Sequence, residues 1–207
     1  MKLALSVVIG FLLTMVVAAV AYAFSGAFDV AATAQDSPAI SWLLVTTRYR
    51  SVEARVAQIR EPTDISNVLR VWDGAVRYKD DCQPCHGAPG SYPGPMGRGM
   101  NPQPPKLFAA DPARPSDPKY YYWVIMHGIR MTGMPSWQHK YRDQDAWALV
   151  AFLLQFPRMS PQIYEKLTVV WFPDANDRVS AGNRPRAVLI SKSIVTPLHP
   201  ALEALRY

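Results

Sequence analysis

The sequence predicts an all-α protein: a long apolar helix at the N-terminus, about three to five further helices joined by long Pro/Gly-rich loops, and a mostly irregular C-terminal tail. Three observations lead there. The stretch Leu3–Phe24 carries no charge. Later stretches repeat apolar residues at the spacing of a helix face. Nineteen prolines against eleven glycines, gathered between those stretches, point to ordered loops rather than unbroken secondary structure.

The first element, LALSVVIGFLLTMVVAAVAYAF, is long enough to cross a hydrocarbon core, which takes roughly twenty apolar residues. Lys2 stands just before it. A cleaved signal peptide is the rival reading, because Ala21–Tyr22–Ala23 resembles a small-x-small processing site. The apolar run is longer than the usual ~7–15-residue signal core, which favours a retained anchor. On either reading the rest of the chain is exported. The implied organisation is an anchor or signal over 1–24, a linker and amphipathic helix over 25–61, a domain over 62–160 and a C-terminal extension over 161–207 that is a candidate partner-binding arm.

Residues 39–59 place Trp42, Leu43, Val45, Val52, Val56 and Ile59 at helical spacing among basic residues, giving an amphipathic helix that lies on a membrane face, on a partner or on the domain. A second helix follows Asp64 or Ser66 as N-cap, with Val68, Leu69, Val71, Trp72, Ala75, Val76 and Tyr78 on one broad apolar face. Residues 88–118 form a long loop that needs something internal to pack around. KYYYWVIMHGIR, 119–130, is the next helix, ended by Gly128. MTGMPSW, 131–137, is a loop. RDQDAWALVAFLLQFP, 142–157, is a helix capped at Asp143 and stopped by Pro157. The tail after it has short apolar runs broken by prolines, reads as a short strand or an extended arm, and carries no assignable chemistry.

The charge of +6, from 22 Lys and Arg against 16 Asp and Glu, suits docking on an acidic partner or an anionic membrane. Nucleic acid fits poorly, because no dense basic cluster or glycine-aromatic RNA motif is present.

Both cysteines of the chain lie in CQPCH, followed at once by His86. Cys-x-x-Cys-His is the attachment signature of c-type haem: Cys82 and Cys85 add to the porphyrin vinyl groups, and His86 is placed under the ring to bind iron. The alternatives fit less well. Zinc would need two more ligands, and His127, His139 and His199 form no matching pair. A redox dithiol belongs in a βαβ pattern, and no strand precedes Cys82. A disulfide across two residues closes a tiny loop and stabilises little. For a second iron ligand, GIRMTGMPSW offers Met134, framed by Gly133, which lets the backbone come close to the ring, and Pro135, which fixes the turn. Met131 is the reserve candidate, followed by Met100 or Met96.

In this order, helix, CQPCH, proline-rich loop, helix, GMPSW and final helix, residues 63–160 resemble a class I cytochrome c, most closely the membrane-anchored bacterial monohaem type. The resemblance implies a haem c bound covalently by Cys82 and Cys85, with iron ligands His86 and Met134. It implies that the first and last helices cross beside the haem, a small residue against an aromatic one; Gly74 and Tyr78, and Trp147 with Leu149 or Phe152, match that arrangement. It further implies a backbone carbonyl in the loop after Gly87 that orients the His86 ring. YYYWVIM and Trp137 would wall the haem, Tyr120–Tyr122 could include a propionate donor, and Arg98, Arg130 and Lys106 are candidates for propionate neutralisation or docking.

The function implied is single-electron transfer between respiratory redox partners, a terminal oxidase, a dehydrogenase or a quinol-oxidising complex, from a single-pass anchor in a bacterial inner membrane with the haem domain in the periplasm. Such a chain is a carrier rather than a catalyst. One alternative is a subunit built permanently into a membrane oxidoreductase. Another is a haem-based sensor or peroxidase in which Met134 does not bind.

Overall fold

The computed structural model describes residues 2–110 and 117–169. The stretches 111–116 and 170–207, and with them most of the arm expected over 161–207, lie outside the described residues. The described residues are helical, with no strand among them; a lone bridge joins Ala88 and Ser91. The chain divides into two units, one ending at Ser37 and one beginning at Pro38.

The first unit holds α1, Lys2–Phe24, whose 23 residues extend about 34 Å at ~1.5 Å per residue. It is the one helix among the described residues that is long and apolar enough to cross a membrane.

The second unit begins with α2, Pro38–Val56. Its last two turns bury Val52 and Val56, whereas Ile40, Trp42, Leu43, Leu44 and Val45 in its first turns are exposed. Those five residues ring the helix rather than forming one stripe. The amphipathic face expected from sequence is therefore confined to the C-terminal half of α2, which packs on α6.

Helix α3, Val68–Asp81, starts later than expected: Asn67, not Asp64 or Ser66, is the N-cap, its side-chain oxygen accepting from Leu69 N–H at 2.9 Å. Asp64 pairs instead with Arg70 at 2.6 Å. Short α4, Gln83–His86, and α5, Pro95–Arg98, follow, then α6, Pro118–His127, capped by Asp117 and ended by Gly128 at φ 67°. Helix α7, Asp143–Gln155, is capped from Arg142, whose N–H donates to Asp145 Oδ2 at 3.0 Å. Asp143, the expected cap, lies one position inside and accepts from Tyr122 Oη–H at 2.8 Å. Pro157 sits in a 3-10 turn, Phe156–Arg158, and α8, Pro161–Val169, follows.

Every residue from Asp145 to Leu153 is buried, so α7 is the central helix, covered all round. Its main partner is α3. The two backbones approach so closely that a Cβ on Gly74 would overlap the Ala148 carbonyl and stand 2.8 Å from Phe152 Cβ. One turn on, fully buried Tyr78 packs against Phe152 (5.2 Å between ring centres) and Phe156 (4.7 Å). Trp147 faces elsewhere, stacked on Tyr122 of α6 at 4.5 Å. Helix α8 returns to α3, burying Leu167 and placing Thr168 O 3.3 Å from Lys79 Nζ.

Candidate functional site

Helix α3 delivers the cysteines. Cys82 ends it with its N–H on Tyr78 O at 2.9 Å, and the chain turns at once into α4, where Cys85 and His86 both donate to Cys82 O at 3.1 and 2.9 Å. Two cysteines and the histidine thus share a single turn. Gly87 closes it at φ 71°, a conformation that favours glycine, and a Cβ there would stand 2.9 Å from Ser91 O. Tyr78 reaches from the core to donate to Gly87 O at 2.8 Å. From α5, Gly97 presses so close that a Cβ would lie 2.5 Å from Cys85 O, and Gly94 N–H donates to Pro84 O at 2.8 Å.

His86 Nδ1 lies 2.8 Å from Pro105 O. A carbonyl only accepts, so Nδ1 carries the proton and the lone pair resides on Nε2. Pro105 is the orienting carbonyl that the resemblance implied without naming.

Cys82 is enclosed. Burial first, then Asp81 and Cys85, push its thiol up to about 12. Asp81 beside it accepts from Lys140 Nζ at 2.5 and 2.6 Å and from the Tyr141 hydroxyl. On another side Tyr164 of α8 donates to Gln83 Oε1 at 2.7 Å. Cys82 and Cys85 form no disulfide, and among the described residues no group of three or more His, Cys, Asp or Glu gathers to hold a metal ion.

Met134 lies in a separate loop that closes on itself. Gly128 at φ 67° starts it; Ile129 N–H donates to Met134 O at 3.1 Å, and Met134 N–H to Thr132 Oγ1 at 3.1 Å. Thr132 Oγ1–H donates to Ile129 O at 2.8 Å. The far end is tied to α6 by Ser136 Oγ–H to Met126 O at 2.6 Å and Trp137 N–H to Ile125 O at 3.1 Å. Met134 is half-buried. Met131 is 91 % exposed at the loop tip with φ 60°, and Met96 is 71 % exposed on α5, so both sulfurs face solvent. Met100 is half-buried and touches Gly133: a Cβ there would overlap its Sδ. The space that Gly133 leaves is taken by this methionine.

The remaining sequence candidates are dispersed. Tyr122 serves Asp143 and Trp147, and Tyr120 packs on Tyr49 of α2 at 5.7 Å. Arg98, Lys106 and Arg130 are exposed. Pro105 and Tyr164 were not found from sequence as partners of the site, and Met100, named from sequence as a third-rank ligand candidate, was not expected to pack on Gly133; a backbone acceptor and contacts between irregular segments leave no spacing signal.

The donor set fits a haem: two thiols on one turn, an imidazole with its lone pair fixed on Nε2, and a thioether in a closed loop. A turn of this kind at the end of α3, with α3 crossed on α7 through a glycine, defines the class I c-type cytochrome. The family model described as cytochrome c oxidase, cbb3-type, subunit III matches residues 70–153, from α3 into the last turn of α7. Residues 70–153 of the second unit are accordingly similar to a c-type cytochrome domain, a family whose cofactor is covalently bound haem c and whose work is electron transfer. No curated protein and no solved structure matches the chain.

Proposed function

We propose that this chain is a membrane-anchored monohaem cytochrome that carries single electrons between respiratory redox partners, with its haem domain in the periplasm. Cys82 and Cys85 would hold the haem through thioethers, and His86 and Met134 would bind its iron. The observation that supports the assignment is the His86 Nδ1–Pro105 O contact at 2.8 Å, which leaves the lone pair of the other ring nitrogen available to an iron.

A bound haem supplies a one-electron Fe(III)/Fe(II) couple. The residues of this chain determine what that couple does. His86 and Met134 would both bind the iron, and with both bound neither oxygen nor a substrate would find a vacant position. A thioether paired with an imidazole on the iron would favour the reduced state and raise the potential. The turn at Cys82–Gly87 is held by α3, α5 and Tyr78, which keeps reorganisation small between oxidation states. Helix α1 holds the chain in the membrane of its partners and raises their effective concentration. The excess of basic residues speeds encounter with acidic partners in a salt-dependent way.

A pyridine haemochrome spectrum and an intact mass on the purified full-length chain test this reading. One haem c per chain, an uncleaved N-terminus and a ferric thioether-to-iron charge-transfer band support it; a colourless chain overturns it. A second reading, a subunit built permanently into a membrane oxidase, draws on the printed description of the matching family model. Sizing the gently solubilised particle separates the two: a carrier runs alone, whereas a subunit brings stoichiometric partners.

A further inference from the structure

The proline-rich loop touches both sides of the candidate iron site within six residues. Pro105 O receives the His86 ring proton at 2.8 Å. Five residues earlier, the Met100 side chain is packed on Gly133, immediately before Met134. The three heavy atoms nearest to a Cβ built on Gly133 all belong to Met100: its Sδ, which the Cβ would overlap, its Cε at 2.9 Å and its Cγ at 3.1 Å. No other side chain comes as near at that point. Gly133 is otherwise exposed and has no positive φ, so conformational freedom does not explain a glycine there. The space needed by Met100 does.

We propose that Met100 is a positioning residue for Met134: its thioether packs on the Gly133 backbone and holds the ligand loop against the site, so that one short stretch, 100–105, orients both axial ligands. The proposal rests on the assignment of His86 and Met134 as ligands. Hydrogen bonds within residues 129–134 set the shape of the ligand loop, and its far end is tied to α6. Met100 braces its middle. Removing that side chain leaves a void beside Gly133 that the loop relaxes into, and the Met134 sulfur drifts from its bonding position. Methionine suits the task, because its unbranched, polarisable side chain fills an irregular gap.

The test is a double-mutant cycle on the holoprotein in its membrane or detergent, read by the ferric thioether-to-iron band, the midpoint potential and the pH at which that band is lost on alkaline titration. Met100→Ala is expected to favour displacement of the thioether about tenfold, moving the loss of the band down by about one pH unit, and to lower the potential. Met100→Leu keeps the volume and is expected to restore all three readouts. Gly133→Ala collides with Met100 and is expected to weaken the band by itself; combined with Met100→Ala, the new methyl group occupies the vacated space and part of the band returns. That recovery is the non-additivity of a direct contact. It is available even if Met100→Ala alone fails to mature, because Gly133→Ala and the double variant are compared with each other.

Unchanged readouts in Met100→Ala overturn the proposal. So do strictly additive effects in the cycle. A Met100→Leu variant as impaired as the alanine shows that the sulfur itself is needed, and a band that survives in Met134→Ala makes Met100 the ligand; either result also overturns it. A wild-type protein with no thioether band sinks the ligand assignment instead, so the two failures are distinguishable.

Discussion

The two halves of the candidate iron site are built in opposite ways. The histidine half grows out of the core: α3 runs straight into it, Cys82 accepts two of its N–H groups, and fully buried Tyr78 holds Gly87 from below. The methionine half is a surface loop held by its own hydrogen bonds, with Met131 bare at its tip and a half-buried methionine from another loop behind it. Loosening the first requires disturbing the packing of α3 on α7. Loosening the second requires breaking a few bonds in partial contact with water. Stability is not uniform across a fold, and segments with few buried contacts open first. The methionine should therefore be the ligand that lets go, and the histidine side the one that keeps the group in place.

The largest effects should come from removing the atoms proposed to hold the haem and its iron, and they should differ in kind. Cys82→Ser or Cys85→Ser should impair or abolish covalent haem retention, seen as loss of haem mass from the denatured chain. A variant still carrying a group linked through two sulfurs would contradict the thioether assignment. Met134→Ala should keep its covalent haem and lose the thioether band. Its potential should drop by on the order of 0.1 V, within the ~0.8 V that axial ligands span, and carbon monoxide or cyanide should bind. Met131→Ala, at the exposed tip, should do none of these. If the two methionine variants exchange behaviours, the loop is presented the other way round.

A pair of smaller substitutions tests the contrast directly. Tyr78→Phe leaves the buried Gly87 carbonyl without its phenolic donor, at a cost of about 1–3 kcal/mol, and should lower the melting temperature of the whole domain. Thr132→Val is nearly isosteric. It removes the hydroxyl that bridges Ile129 O and Met134 N–H, worth about 1 kcal/mol, and should shift the alkaline loss of the thioether band with little change in melting. Equal effects of both variants on both readouts would mean that the halves unfold as one unit.

The same contrast explains what could be read from the amino-acid order. Helices with a broad apolar face announced themselves, as did Gly128 at the end of α6, because periodicity and glycine are local signals. The histidine turn is five consecutive residues, and Met134 sits in a short Gly-x-Pro frame. What stayed hidden is tertiary. Asn67 outcompeted Asp64 as cap because Asp64 is engaged by Arg70. Asp145 took the capping role from Asp143, whose carboxylate is occupied by Tyr122. Trp147, a natural candidate for the helix crossing, stacks on Tyr122 instead, and Ala148 and Phe152 meet Gly74. Pro105 contributes a carbonyl, which every residue has. Met100 and Gly133 meet across 33 positions of chain with no periodicity between them. Residue type indicates what a side chain is able to do; in these cases a neighbour from another element decided what it does.

The smallest expected effect concerns the junction that ties the methionine half to the core. Tyr122 on α6 stacks on Trp147 and donates to Asp143 at the first turn of α7. Burial first, then the hydrogen bond and charge of Asp143, push its phenol up to about 12 from the ordinary 10.0. The folded state therefore favours the protonated phenol. Its contribution is fully present below pH 10 and is lost as pH rises through the folded value, so wild-type stability should decline over the window from about 10 to about 12. Tyr122→Phe keeps the stacked ring and removes both the bond and the titration. At neutral pH it should cost about 1 kcal/mol, the net worth of one such bond. Between pH 10 and 12 it should lose less stability than the wild type, until the two denaturation curves converge. Because α6 carries the ligand loop, the thioether band of the wild type should weaken over the same interval more than that of the variant. Parallel pH curves for the two proteins would show that this tyrosine is a bystander, and that the methionine half hangs on the core by Ser136 and Trp137 alone.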